Sequence, residues 1–319
     1  MAQPDTAQPD TAQHRGGLTV AEYHKLVGFE GDWRDRWWAD DFLSLMAERW
    51  QLKTARRVLD VGCGVGHWGQ RLAPWFPDAH LFGVDAEPQW IPQAQERAAS
   101  LGLNATYQAA QAEELPFEAD HFDVVVCQTL LMHVAEPVAV LREMCRVLRP
   151  GGLVIAAEPN NFANVAFTTM ESPRLPYELI SALLELHHTL ATGKRALGNG
   201  DQSVGERLPK DFQRAGLELV DVAMNPQGAL LIPPYGPGRG EQYVNMLRES
   251  TEQDRLLELG GTEDNMRRLF VAGGGSEERF ETLKRLALTV QRERLAAIDA
   301  GQLVRTGGVA HYLITGRKP

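Results

Sequence analysis

From Arg56 to Glu158, short apolar runs alternate with amphipathic stretches. The runs Arg57–Val61, His80–Val84, Thr106–Ala109, Phe122–Gln128 and Leu153–Ala157 read as buried strands, and His67–Trp75, Pro88–Leu101 and Pro137–Leu148 carry helical spacing between them. Pro74 and Pro77 close the first helix, and Arg149-Pro150-Gly151-Gly152 ends the third. Strand–helix alternation with short connections predicts an α/β, doubly wound, mostly parallel sheet whose ligand site lies at the strand C-termini. A helix at Leu208–Gly216 leading into a strand at Leu217–Ala223, and a last strand at Val309–Thr315, bring the sheet to seven strands. Further amphipathic helices are expected at Asp41–Trp50, Glu178–Ala191 and Glu277–Ala300.

The flanking sequence divides the chain. Residues 2–13 repeat Ala-Gln-Pro-Asp-Thr and lack core-forming side chains, which predicts a disordered tail over 1–17. Residues 18–55 are read as an N-terminal helical cap, with Thr19 as an N-cap candidate. Residues 56–224 form the core, with a helical insertion at about 160–205. Residues 225–306 form a helical lid or substrate-recognition insertion before the last core strand, 307–319. Within that insertion, Gly273-Gly274-Gly275-Ser276 reads as a flexible joint. Such segments serve as a lid, a substrate wall or a dimer contact, so the pairing of Glu277–Ala300 with its copy in a homodimer stays open.

Composition narrows the classes. A hydrophobic content of 44% over 319 residues suffices for a large core. No apolar run approaches the roughly 20 residues of a membrane span, and no secretion signal is apparent. Cys63, Cys127 and Cys145 show no Cys-x-x-Cys spacing, which argues against a disulfide framework or structural zinc and for the cytoplasm. The net charge of −10 opposes nucleic-acid binding. His187 and His188, adjacent on a helix, point about 100° apart, so no metal site is expected there.

The candidate chemistry centres on Val58-Leu59-Asp60-Val61-Gly62-Cys63-Gly64-Val65-Gly66, a strand that ends in glycines and feeds a helix. It has neither the Gly-x-Gly-x-x-Gly of dinucleotide turns nor the Gly-Lys-Ser/Thr of a P-loop. Asp85 ends the second strand, where an acid can accept hydrogen bonds from both ribose hydroxyls. Then follow Gln111-Ala112-Glu113-Glu114-Leu115-Pro116-Phe117, Phe122-Asp123-Val124-Val125, Gln128-Thr129-Leu130-Leu131-Met132-His133 and Leu148-Arg149-Pro150-Gly151-Gly152. In this order the motifs closely resemble those of the class I S-adenosylmethionine-dependent methyltransferases, in particular the subgroup acting on small molecules. The resemblance implies a Rossmann-like fold and methyl transfer by in-line displacement, with S-adenosyl-L-methionine as donor and S-adenosyl-L-homocysteine as product.

Carried over residue by residue, the resemblance implies that Asp60 orients the methionine amino group and that Gly62, Gly64 and Gly66 keep the turn open, with Trp68 just beyond it. Asp85 holds the ribose, Ala86 and Trp90 line the adenine pocket, and Gln111, Ala112 and Glu113 flank it. Gln111 stands where many relatives have aspartate, yet its carbonyl oxygen still accepts a hydrogen bond. Gln128 lies near the methionine half, and His133 is the general-base candidate. Four of the seven tryptophans crowd the leader, and an indole face attracts cations, so Trp33 and Trp37, with Tyr23, are candidates to enclose the sulfonium or the acceptor. Glu158 is read either as facing the acceptor or as capping its strand end. The expected partner is a small-molecule acceptor, with no nucleic acid and no membrane. A reaction that uses the sulfonium without methylation, and a non-catalytic cofactor-binding protein, are the alternatives.

Overall fold

The computed structural model describes Arg34 and residues 37–228, 230–236, 239–257 and 262–319. Tyr23, Trp33, the 1–17 tail and the helix start at Leu18–Tyr23 lie outside the described residues. Nine strands are described: β1 (Arg57–Val61), β2 (His80–Asp85), β3 (Ala105–Ala109), β4 (Phe122–Gln128), β5 (Leu148–Pro159), β6 (Glu171–Ser172), β7 (Glu218–Met224), β8 (Val304–Arg305) and β9 (His311–Arg317). Seven of them form one sheet in the order β3-β2-β1-β4-β5-β9-β7, while β6 and β8 pair separately. Pairing is parallel from β3 through β5, and β9 runs antiparallel to both β5 and β7. The strand order reverses between β1 and β4, so the crevice for a ligand opens at their C-terminal ends.

Helices cover both faces. On one, α4 (Pro137–Val147) and α7 (Leu208–Arg214) bury Val140, Leu141, Met144, Leu208 and Phe212 against Leu59, Val125 and Val154. On the other, α1 (Asp40–Arg49), α2 (His67–Leu72) and α3 (Ile91–Ser100) bury Met46, Trp68, Leu72, Ala94 and Ala98 against Val58, Val126 and Ile155. Alternate residues of each strand therefore enter different cores, and each large apolar side chain contributes about 1.5–3 kcal/mol by leaving water.

Two local expectations need correction. Leu148–Gly152 does not simply end a helix: β5 already begins at Leu148, which pairs with Phe122, and the ladder shifts register between Phe122 and Val124. Gly273 and Gly275 pack against Thr189 and Phe270, so this turn is not a loose joint. They lie where α6 (Tyr177–Ala196) meets the turn between α9 (Glu263–Ala272) and α10 (Glu277–Asp299). A Cβ on Gly193 of α6 would lie 1.7 Å from the carbonyl oxygen of Leu269, and one on Gly273 would lie 2.1 Å from that of Thr189. Backbone here touches backbone. Ser276 then caps α10 by accepting a hydrogen bond from the N–H of Arg279 at 3.2 Å.

The insertions also contain α5 (Asn161–Thr168) and α8 (Arg239–Glu252), which, like α9, no apolar stripe announced. The apolar residues of α10 that raised self-pairing (Phe280, Leu283 and Val290) pack within the chain against Leu186, Leu190 and Phe270. Arg294 of α10 donates to the buried Glu171 at 2.9 Å and to the carbonyl of Thr168 at 2.8 Å, tying the long helix to α5 and β6. Gly193→Ala is expected to force α6 and α9 apart and lower stability by about 1–3 kcal/mol. Gly236→Ala, where an added Cβ has nothing within 4 Å, is the control; urea midpoints equal for both variants would refute the contact.

Candidate active site

The glycine turn is built from backbone up. Gly62, Gly64 and Gly66 have φ of +69°, +50° and +86°, a region that a side chain strains. At Gly62 there is also no room: a Cβ would lie 2.7 Å from Cδ1 of Leu130, so the loop after β4 leans directly on the turn. The N–H groups of Gly62 and Cys63 donate to the carbonyl of Val84 at 2.8 and 2.9 Å, joining the ends of β1 and β2.

Two carboxylates flank this turn. Asp85 is half-buried and clamped, Oδ2 accepting from the N–H of Gly64 at 2.7 Å and Oδ1 from the N–H of Glu87 at 2.9 Å. Asp60 is buried, and its Oδ2 accepts from the N–H of Gly69 at 2.8 Å, while Oδ1 has no hydrogen-bond partner. Burial pushes the Asp60 carboxyl up to about 7; the Gly69 N–H counters this incompletely and the negative Asp85 adds to it. A buried, half-satisfied carboxylate is ready for a cation.

Beyond the turn the predicted residues spread along the sheet mouth. Trp68 is buried at the start of α2, with its indole N–H unpartnered. Ala86 is exposed, and Trp90 is buried on the turn that precedes α3. After β3, Gln111 and Glu113 are exposed on either side of the buried Ala112, and the N–H of Ala110 donates to the carbonyl of Asp85 at 2.9 Å. Gln128 closes β4, buried, with an unpartnered amide nitrogen. Trp37 is described, and its ring lies 5.2 Å from that of His311.

Glu158, near the end of β5, resolves its two readings in favour of the structural one. Its Oε1 accepts from the N–H groups of Leu130 and Leu131, both at 2.8 Å, and its Oε2 accepts from that of Met132 at 3.2 Å. Burial still raises its carboxyl to about 7, against these three donors. The loop it holds leads to His133, which is half-buried and donates its backbone N–H to the carbonyl of Leu130 at 2.9 Å. The insertion supports the same loop: Lys194 donates to the carbonyl of Met132 at 3.2 Å, and a Cβ on Gly200 would lie 2.3 Å from that oxygen.

Sequence reasoning passed over His311 and the contact between Trp38 and Trp68. A polar residue opening an apolar strand was the only signal for the first. The second joins residues thirty apart and left none. No group of three or more His, Cys, Asp or Glu arranged to hold a metal is found among the described residues.

The comparisons agree with this architecture. A family model described as a methyltransferase domain matches residues 52–205. A ubiquinone biosynthesis O-methyltransferase from Cereibacter sphaeroides is 38% identical over 111 residues, which are 34% of this chain and 44% of that protein. The match thus spans less than half the length of that relative. The methyltransferase GfsG of Streptomyces halstedii is 30% identical over 210 residues, covering 62% of this chain and 68% of its own length. The crystal structure of a proposed methyltransferase from Bacillus halodurans C-125 superposes with a TM-score of 0.51 at 18% identity, over 87% of this chain and 98% of that one. With motif, sheet order and relatives in agreement, this chain belongs to the class I S-adenosylmethionine-dependent methyltransferases.

Proposed function

We propose that this protein transfers the methyl group of S-adenosylmethionine to a small organic acceptor. The observation that carries this reading is the orphaned Oδ1 of buried Asp60 beside a turn held open by the positive φ of Gly62, Gly64 and Gly66. The described residues fit the cofactor. Asp60 can accept from its ammonium, and Asp85, already fixed by two N–H groups, retains lone pairs for the ribose hydroxyls. When bound, the cofactor supplies an electrophilic methyl group on a good, neutral leaving group.

The chain's own residues bind, orient and exclude water. Gly62, Gly64 and Gly66 let the backbone approach. Ala86 and Trp90 wall the adenine, with Gln111 accepting from its amino group beside Ala112 and Glu113. Gln128 and Trp68 border the methionine half, and Trp37, with Tyr23 and Trp33, closes over the sulfonium or the acceptor. His133, on the loop pinned by Glu158, removes a proton where the acceptor must lose one. The names of the relatives, among them a phosphoethanolamine N-methyltransferase of Arabidopsis thaliana, support a small acceptor. The insertions α5–α6 and α8–α10 would enclose it. Free cysteines, and the lack among the described residues of any helix long and apolar enough to cross a membrane, support work in the cytoplasm.

Calorimetry with S-adenosylhomocysteine tests the donor half. The wild type is expected to bind, and Asp85→Ala to bind at least about tenfold more weakly, a loss of about 1.4 kcal/mol. A wild-type protein that ignores this ligand overturns the reading. For the base, His133→Ala should abolish turnover of an identified acceptor at unchanged S-adenosylhomocysteine affinity.

A further inference from the structure

Unpartnered polar atoms are concentrated on one face of the sheet. Asp60 and Gln128 lie in register with Val58, Val124 and Val126, and His311 with Leu313, so all three side chains project toward the core that contains Trp38 and Trp68. Asp60 Oδ1, Gln128 Nε2, the indole nitrogens of Trp38 and Trp68 and both ring nitrogens of His311 have no hydrogen-bond partner. None of these residues is more than 5% exposed. Each such atom costs about 1–3 kcal/mol, a concentration expected where a ligand completes the bonding.

The inventory has a definite chemistry. One acceptor carries negative charge, Asp60, and the surrounding groups are donors: two indole N–H groups and a carboxamide. Such a set matches a ligand end with an ammonium on one side and a carboxylate on the other. His311 adds no charge, since burial and nearby Arg34 push its pKa down to about 3. Trp38 comes from the leader and the others from the sheet and α2. Its ring lies 4.7 Å from that of Trp68 and 5.7 Å from that of His311. The leader backbone is moored beside it: Asn225 donates its side-chain N–H to the carbonyl of Trp37 at 2.5 Å and its backbone N–H to the carbonyl of His311 at 2.9 Å.

Resting on the cofactor reading above, we propose that Trp38 of the leader, with Trp68 and Gln128, donates to the α-carboxylate of the cofactor while Asp60 takes its ammonium, so that leader docking and binding of the amino-acid end stabilise one another. The coupling is reciprocal: whatever favours the docked leader favours that end of the ligand to the same degree. Asn225 is a positioning residue in this scheme, acting only through the leader.

Two probes separate the amino-acid end from the nucleoside: S-adenosylhomocysteine, and 5′-methylthioadenosine, which lacks it. By calorimetry, Trp38→Phe and Asn225→Ala are each expected to weaken S-adenosylhomocysteine about five- to tenfold while leaving 5′-methylthioadenosine within about twofold. By hydrogen exchange on the wild type, S-adenosylhomocysteine is expected to slow amides at 37–50, and 5′-methylthioadenosine to leave them unchanged. Equal effects of the two probes on those amides, or variants that weaken both ligands alike or neither, overturn the proposal and leave the cofactor reading standing. A wild type that binds neither probe overturns both. The exchange measurement needs no variant, so a misfolded substitution does not rescue the proposal.

Discussion

Glu158→Ala is expected to lower stability by about 3–5 kcal/mol, because it strands three buried backbone N–H groups at about 1–3 kcal/mol each, less what entering water recovers. The donors belong to Leu130, Leu131 and Met132, consecutive residues of the loop after β4. The loss therefore falls on the segment that carries His133 and presses Leu130 on Gly62. Weaker S-adenosylhomocysteine binding should accompany it. Glu158→Gln keeps an oxygen for Leu130 and Leu131 but turns an amide N–H₂ toward the N–H of Met132; it also removes the cost of ionising the buried carboxyl, so a smaller loss than for the alanine variant is expected. Urea unfolding ranks the three proteins. An alanine variant within about 1 kcal/mol of wild type, below the desolvation penalty of even one orphaned donor, contradicts the assignment.

For Asp60 the expected result is a gain in stability together with a loss of binding. Its carboxyl titrates at about 7 in the folded protein against 3.8 in the unfolded chain. Between those values the folded state holds a proton that the unfolded state has released. Stability of the unliganded protein therefore falls as pH rises through this window, by on the order of 4 kcal/mol in all, and the loss is complete above about pH 7. Asp60→Asn removes that slope and should leave the apo protein more stable than wild type at pH 8. Glu158, raised from 4.5 to about 7, contributes a similar slope to both proteins, so the difference between the two profiles isolates Asp60. The same substitution removes the charge proposed above to meet the ligand ammonium, and affinity for S-adenosylhomocysteine should then drop about a hundredfold, near 2.7 kcal/mol. Because binding favours the ionised carboxylate, wild type should release protons on binding near pH 6, measurable by calorimetry in buffers of different ionisation enthalpy. Superimposable pH profiles and equal affinities for wild type and Asp60→Asn would rule this out. Strain of this kind, stability yielded at a site that must hold a ligand, is common where carboxylates are buried without partners.

The glycine strand was legible in sequence because its information is local. Positive φ at Gly62, Gly64 and Gly66 and the five-residue run before them depend on neighbours in the chain. The same holds for β2, β4 and the helices between them, where side-chain period decides which face is buried. The bounds of β7 and β9 differ from expectation by one or two residues, since strand ends are set by the partner strand. α5, α8 and α9 were not legible, and the glycines at 273–275 were misread. Composition alone cannot distinguish a glycine that loosens a chain from one that lets two backbone segments touch; the tertiary contact does, since a Cβ added to Gly273 would lie 2.1 Å from the carbonyl oxygen of Thr189.

The candidate site divides along the same line. Asp60 and Asp85 follow from motif and spacing, because a strand end and the turn after it place them whatever the rest of the chain does. Glu158 could be read either way, and its three N–H donors come from a segment some 27 residues earlier that only strand pairing brings alongside. His311 and Trp38 lie more than 270 positions apart, and their rings meet only because β9 enters the sheet next to β5 while Trp38 packs on Trp68 of α2. Short-range pattern along the chain encodes the fold class and the methyl donor, and it places Asp60 and Asp85 beside one turn. Tertiary structure decided which buried polar atoms are left without partners and which loop carries His133, because burial and hydrogen-bond satisfaction are properties of packed neighbours and have no fixed spacing along a chain.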